Sequence, residues 1–461
     1  MKKHVSQYHS PSRTRRQTRA LLPAAGAVLL AGAANLAPPL APSALADDAK
    51  VAALEARVAE LDQQVRILAR KAELASEQAA KDGAKAPVVT AGTSGLTVAA
   101  KDKSYSFTLS PLIQADYRSY LSDAAAGTAQ DSFLLRRVRL DFKGTVGSVF
   151  SFRLTPEFSS ADTAGNNTSI SYAWIAASVV PAFNLKAGKV LPAITVSAPD
   201  DRHFVEATYT NQLAPNRDIG VEAFGKVAAA GFSYRLGLYN GAANTSWAEI
   251  GNDTVTGDFT LAGRATFEPF SRSDNELLSP LTLSVGFSYG HEENKSNNGR
   301  VRTPNQQNVI VRAYGPGNHL RLAPAVEWYW EQTSVVAELL WERWDLAAGG
   351  SVDNLGWRVT GGYVLTGEKT TRGGVTPSSP FNFGKGGWGA VELVARVSGV
   401  RIGDTPGRSD RTSAVSVGVG ANWYLTKNIL WRLDLEGTDF DRKAALRRDE
   451  LALFSRLQIK F

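Results

Sequence analysis

The sequence predicts an all-β fold: a transmembrane antiparallel β-barrel of about 16 strands, preceded by a short N-terminal α-helical coiled coil. Three observations predict it. Apolar and polar residues alternate with period two from Tyr105 to the end of the chain. Past the N-terminus no apolar run approaches the roughly 18 residues that a spanning helix needs. Mean hydropathy is -0.17 with 43% hydrophobic residues, and a barrel strand that shows lipid only every second residue crosses a bilayer while looking polar on average.

The chain opens on Lys2, Lys3, Arg13, Arg15, Arg16 and Arg19, then apolar Leu21 to Leu40, then Ala44-Leu45-Ala46. This is the pattern of a secretory signal peptide over 1–46 with an A-x-A cleavage site, and its basic start explains Arg15-Arg16 without a twin-arginine signal. The segment holds six of the 51 basic residues and none of the 44 acidic ones, so the remainder carries 45 basic against 44 acidic residues, a net +1. The pI of about 9.4 therefore supports no nucleic-acid partner. Zero cysteines exclude disulfides and thiolate chemistry, which leaves barrel closure, with no unpaired strand edge, as the source of stability.

Residues 47–80 read as a coiled-coil segment. Val51, Leu54, Val58, Leu61, Val65, Leu68, Ala72 and Ala75 alternate steps of three and four, a heptad seam with charges on the other faces. Two readings stay open: an oligomerising stalk, or a helix folded back on the barrel. Residues 81–103, rich in Gly, Thr, Ala and Pro, read as a linker, and 104–461 as the barrel.

Strands are expected near 105–117, 133–144, 149–158, 170–179, 183–190, 219–227, 231–240, 258–268, 280–290, 318–331, 333–344, 354–367, 387–399, 412–424, 428–438 and 450–461. In the last, Leu451, Leu453, Leu457, Ile459 and Phe461 share the face suited to lipid, and Phe454, Arg456, Gln458 and Lys460 the other. Leu134, Val138, Leu140 and Phe142 oppose Arg137, Arg139, Asp141 and Lys143 in the same way, with Arg136 on the wrong face. Tight links at 145–148, 180–182, 228–230 and 331–333 alternate with long ones at 191–218, 241–257 and 291–317, as an up-and-down barrel requires. The link 368–386 is long on the short side and is expected to enter the lumen. Trp328, Trp330, Trp341, Trp357, Tyr363, Trp423, Tyr424 and Trp431 lie near strand ends and read as interfacial girdles rather than a sugar-stacking slide.

The inventory for catalysis is poor. His203, His291 and His319 fall in predicted loops without metal-ligand spacing, and no G-x-S-x-G elbow or phosphate-cradling Gly loop occurs. No enzyme, catalytic residue, metal or cofactor is expected; a hydrolase is carried only as a third class, testable at those histidines.

The predicted lumen face instead carries charge of both signs. Basic pore-lining candidates are Arg137, Arg139, Lys143, Arg153, Lys186, Arg235, Arg264, Arg358, Arg396, Arg432 and Arg456; acidic neighbours are Asp141, Glu157, Glu222, Glu327, Glu338, Glu342, Glu392, Asp434 and Glu436. Such groups set ion selectivity in a water-filled channel or stiffen the wall by cross-strand pairing. The 28-residue link 191–218 is the expected constriction, because a loop of that length is usually functional. Its candidates are Arg202, His203 and Arg217, with Asp200, Asp201, Glu206 and Asp218 beside them.

From about Ser94 to Phe461 the chain resembles the phosphate-selective porin O and P family. The resemblance rests on Phe133-Leu134-Leu135-Arg136-Arg137-Val138-Arg139-Leu140, Leu213-Ala214-Pro215-Asn216-Arg217-Asp218-Ile219-Gly220-Val221, Tyr239-Asn240-Gly241, Val364-Leu365-Thr366-Gly367-Glu368, the run Gly386 to Ser398, and Gly420-Ala421-Asn422-Trp423-Tyr424-Leu425. It implies a sixteen-stranded homotrimer in the outer membrane of a Gram-negative-type bacterium, with inward-folded loops, a basic passage for phosphate-type anions, and Phe461 as a barrel-assembly signal. Unlike the phosphate-specific members, this chain has one R-x-R pair on a predicted lumen face, Arg137 and Arg139; Arg300 and Arg302 lie in an outer loop. The expected function is passive diffusion of small solutes through a weakly anion- or phosphate-selective pore, with the N-terminal segment periplasmic. The alternative is a structural outer-membrane protein with a plugged barrel and a cell-wall-binding stalk.

Overall fold

The computed structural model describes residues 44–122, 130–159, 168–196, 201–241, 257–293, 297–306, 309–403, 412–441 and 449–461. Nearly all of the expected signal peptide, and Asp200, lie outside the described residues.

Sixteen strands form a closed antiparallel barrel: β1 (Tyr105–Tyr120), β2 (Ser132–Val146), β3 (Phe150–Glu157), β4 (Ser169–Val180), β5 (Phe183–Val190), β6 (Asp218–Val227), β7 (Phe232–Tyr239), β8 (Thr260–Phe267), β9 (Thr282–Glu292), β10 (Gly317–Trp330), β11 (Thr333–Leu346), β12 (Ser351–Val364), β13 (Ala390–Ile402), β14 (Thr412–Tyr424), β15 (Ile429–Phe440) and β16 (Glu450–Lys460). Each pairs with its neighbour in sequence, and β16 returns to β1 from Ala452↔Tyr120 to Lys460↔Leu112. Backbone donors and acceptors are thus paired from strand to strand around the whole closed wall, the condition for standing in hydrocarbon. The pleat then sorts side chains. On β14, Val415, Val417 and Val419 are 45–55% exposed on the outside while Ser416 between them is fully buried inside.

The rim bearing Tyr105 and Lys460, here the terminal rim, also has the tight links 147–149, 181–182, 228–231 and 331–332. Most of the long links are at the far rim, with 268–281 and 365–389 as long links on the terminal rim. A β-bulge explains the misplaced Arg136. Gln114 pairs with Arg137 but Ala115 with Leu135, so Arg136 is the extra residue and the side-chain phase of β2 flips there. As a result Arg136 turns inward with Arg137, and Phe133 and Leu135, not Leu134, meet the outside at 84% and 56% exposure.

Two expectations are corrected. The stretch 81–103 is no linker: Val88–Gly92 and Gly95–Ala99 form a hairpin, and its second strand adds to β1 through Leu96↔Leu109 to Ala99↔Ser106. Period two was present there, but five-residue strands among Gly and Thr do not rise above loop composition. Tyr424 is no girdle residue either, for it points inward and donates to Glu392 Oε2 at 2.9 Å.

The N-terminal unit is one helix, α1 (Ala44–Lys85). Its seam stays in solvent, from Val51 at 53% to Leu68 at 65% exposure, while Arg66 pairs with Asp62 at 2.9 Å on another face. It is not apolar enough to cross a membrane.

Three segments enter the barrel. The described parts of the link, 191–196 and 201–217, enter from the far rim with a short helix, Tyr209–Leu213; the far-rim hairpin Asn297–Arg302 and Val309–Tyr314 lies against it; and from the terminal-rim link 365–389 a small hairpin enters, pairing Thr370–Thr371 with Gly374–Val375. Tyr209, Leu213, Val301 and Ile310 from the first two pack with Leu340, Ile402 and Phe440 of the wall in a buried apolar cluster. Period-two reasoning misses this interior core. Its signal is limited to apolar residues at inward positions, Leu340 of β11, Val400 and Ile402 of β13, Ala414 of β14 and Phe440 of β15.

Candidate functional site

The link 191–217 lies on the inner wall because the wall makes room for it. A Cβ at Gly286 on β9 would sit 1.9 Å from the Ile194 carbonyl oxygen, and one at Gly356 on β12 within 3.1–3.2 Å of Leu213 and Tyr209. Only glycine allows backbone to approach a strand so closely.

Residues 201–206 are then held by a ring of charged groups from β12 to β16. Asp201 accepts from Arg358 at 3.1 Å and lies 3.6 Å from Arg396. Arg432 donates to the carbonyls of Asp201, Arg202 and Phe204 at 2.7–2.9 Å. Asn422 donates to the His203 carbonyl at 3.0 Å, and the Val205 amide donates to Asp434. Arg456 donates to the Val205 carbonyl at 2.5 Å and Arg396 to that of Glu206 at 2.9 Å. The guanidinium fork suits this work, with five rigid donors for carbonyls and carboxylates at once.

The link's own charges respond to that ring. Burial raises the Asp201 carboxyl pKa, but Arg358 and Arg396 outweigh it and hold it at about 2. Burial would likewise raise that of Glu206; Arg136, Arg118 and Arg456 keep it well below the usual carboxylate range. His203 is pushed well below its ordinary value by burial and then by Arg202, against the pull of Asp201. Its Nε2 lies 2.9 Å from Ser334 Oγ. That pair is no hydrolytic dyad, because both residues are buried and Asp201 Oδ1 accepts from the His203 backbone amide at 2.8 Å.

Arg202 and His203 of the three constriction candidates are thus together, whereas Arg217, at the end of the link, lies apart with its guanidinium 4.9 Å from the ring of Tyr172 on β4, which Arg153 also covers at 4.2 Å. Most of the eleven basic wall candidates are matched with carboxylates. Arg139 meets Glu157 at 2.5 Å, Lys143 and Arg153 meet Asp141 at 2.6 and 2.7 Å, and Lys186 and Arg235 meet Glu222 at 3.1 and 2.6 Å. Arg358 pairs also with Glu338 at 3.3 Å, Arg396 with Glu436 at 2.5 Å and Arg456 with Asp116 at 2.6 Å. Arg137 donates to Gln114 at 3.0 Å and Arg264 to the Thr195 carbonyl at 2.6 Å.

Access divides them. Lys143, Arg153 and Arg235 keep 48%, 28% and 34% of their side-chain exposure, while Arg358, Arg396 and Arg456 keep 5%, 1% and 1%. The arc β2–β7 therefore bears the accessible charges, and β12–β16 is covered by the link. Sequence reasoning missed Asp116, Arg118 and the role of Arg136. Asp116 and Arg118 share the inner parity of Gln114 on β1, a signal that was available; the bulge that turns Arg136 was not.

The profile of the phosphate-selective porin O and P family matches residues 107–461, the whole of the barrel from early β1. The chain belongs to that family. Its fold and family are those of outer-membrane channels of Gram-negative bacteria, not of enzymes. No curated protein sequence matches this porin. Among solved structures, the trimer form of OmpT, an outer membrane protein of Vibrio cholerae, superposes with a TM-score of 0.50 at 9% identity, covering 78% of this chain and 100% of that one. A loop-deletion mutant of the same protein gives the same values. The anion-selective porin of Comamonas acidovorans gives 0.49 at 14% identity, covering 77% and 100%. The two OmpT likenesses show the fold alone.

Proposed function

We propose that this porin is a trimeric, water-filled channel for passive diffusion of small solutes, with weak anion preference, whose terminal rim and N-terminal helix face the periplasm. One observation carries it: the long link is fastened to the β12–β16 wall, so the accessible charges Lys143, Arg153, Lys186 and Arg235 line the opposite arc. Those four cations share two carboxylates, Asp141 and Glu222. A local excess of this kind biases small anions without excluding cations, because field at a constriction, not total charge, sets selectivity. The R-x-R pair adds little, with Arg139 matched to Glu157 and Arg137 turned to Gln114.

A second reading is favoured by the apolar cluster within the barrel around Tyr209, Leu213, Val301 and Ile310: a plugged, structural barrel. Planar-bilayer recording decides between them. Discrete conductance in three steps, with a reversal potential displaced modestly toward the anion, supports the channel; a folded but silent barrel overturns it, and cation selectivity overturns the anion preference.

A further inference from the structure

Among the described residues of the inward link, Glu206 is the one carboxylate that meets three guanidinium groups from three wall strands. Arg118 of β1 lies 2.6 Å from Oε1, Arg136 of β2 donates through Nε at 2.8 Å, and Arg456 of β16 lies 3.3 Å away. Glu206 is 5% exposed and Arg456 1%. Asp116 is the second acid of the cluster, 3.1 Å from Arg118 and 2.6 Å from Arg456. Arg302 of the far-rim hairpin lies in the same field: burial, then Arg136 and Arg118 against the pull of Glu206, bring its guanidinium down to about 10.

We propose that Glu206 is the specificity-determining residue of this channel, an internal carboxylate that occupies a three-arginine site which would otherwise hold a small oxyanion of the phosphate or carboxylate class. The inference rests on the channel reading above. A carboxylate or one O–P–O edge of a phosphate offers the guanidinium forks the same pair of acceptor oxygens as the Glu206 carboxylate does. The two therefore compete, and the tethered one holds the site at high effective concentration. Anion preference is weak here because the chain supplies its own anion.

The test is Glu206→Gln, which keeps the shape and removes the charge. In bilayers the reversal potential moves further toward the anion, and half-block of chloride current by inorganic phosphate falls by about tenfold in concentration, the equivalent of one charge-assisted hydrogen bond. Wild-type selectivity in a conducting variant overturns the proposal and leaves the channel reading intact. A silent wild-type barrel removes the channel reading, and calorimetry on detergent-folded protein then decides the site: phosphate binding about tenfold tighter in the variant supports it, equal binding overturns it. If Glu206→Gln does not fold, hydrogen exchange of 203–207 in the wild type substitutes. Faster exchange in phosphate than in chloride at equal ionic strength supports competition; equal exchange overturns it.

Discussion

The guanidinium of Arg202 lies 2.9 Å from the carboxylate of Glu392 and also donates to the Thr371 carbonyl at 2.7 Å and to the Thr370 hydroxyl. One side chain thereby joins two segments that enter the barrel from opposite rims. Glu392 is fully buried, so Arg202→Gln leaves it facing only Tyr424 and Asn422. Breaking one partner from a buried pair costs about 3–5 kcal/mol. The variant is expected to melt at lower temperature, read by heat-modifiable mobility on gels, and to show larger, noisier single-channel steps. Unchanged melting and conductance would mean that the two segments are held independently.

Gly286 tests whether the wall positions the link. A Cβ there would collide with the Ile194 carbonyl at 1.9 Å, and neither partner is a flexible side-chain end that can move aside. Gly286→Ala is expected to lift the start of the link from β9, weakening the nearby bond from the Val196 amide to Glu338 at 2.6 Å. Limited proteolysis should then cut within 191–217 in the variant and not in the wild type, at a stability cost of about 1–3 kcal/mol as for overpacking. Equal protease resistance would contradict this account.

How much of this was legible in the sequence follows from where information is local. All sixteen strands announce themselves because alternation is a property of each strand alone, and tight links such as 181–182 follow from their spacing. Arg136 looked anomalous because its inward turn depends on a bulge against Ala115, a register event between strands. The pairing of Glu206 with Arg118, Arg136 and Arg456 joins residues as far apart as 250 positions, and nothing local encodes which wall the link will meet. Charge parity marked Arg358 and Arg396 as inward but could not show that the link would cover them.

Acid should act on the link in two stages. His203 has its pKa depressed far below the ordinary value, so the folded state keeps it neutral while the unfolded chain takes up a proton near pH 6.5. The unfolded state then binds more protons, and stability falls as pH drops through about 6.5. Asp201, held at about 2 against 3.8, keeps its anchoring charge in the folded state down to about pH 2, and its contribution to stability is full above about pH 3.8 and lost progressively between there and about pH 2. Thermal melting between pH 8 and 5 should therefore be flatter in His203→Gln than in the wild type, and both should drop together below pH 4. A variant slope as steep as the wild type's would place the sensitivity on another group.

The seam of α1 is an apolar stripe that the single chain leaves exposed. Val51, Leu54, Val58, Leu61, Val65 and Leu68 are each 53–65% exposed, and full burial of such a side chain stabilises by about 1.5–3 kcal/mol. A helix with that stripe is a poor free monomer, and in the trimer proposed above three tethered copies would meet at high local concentration. Deleting Val51 to Ala79 is expected to lower the melting temperature of the oligomer by several degrees while the barrel still conducts, and Leu61→Asp should reproduce most of that loss by placing three like charges on the seam. If both variants melt as trimers at the wild-type temperature, assembly is carried by the barrel walls and the heptad stripe serves a different partner.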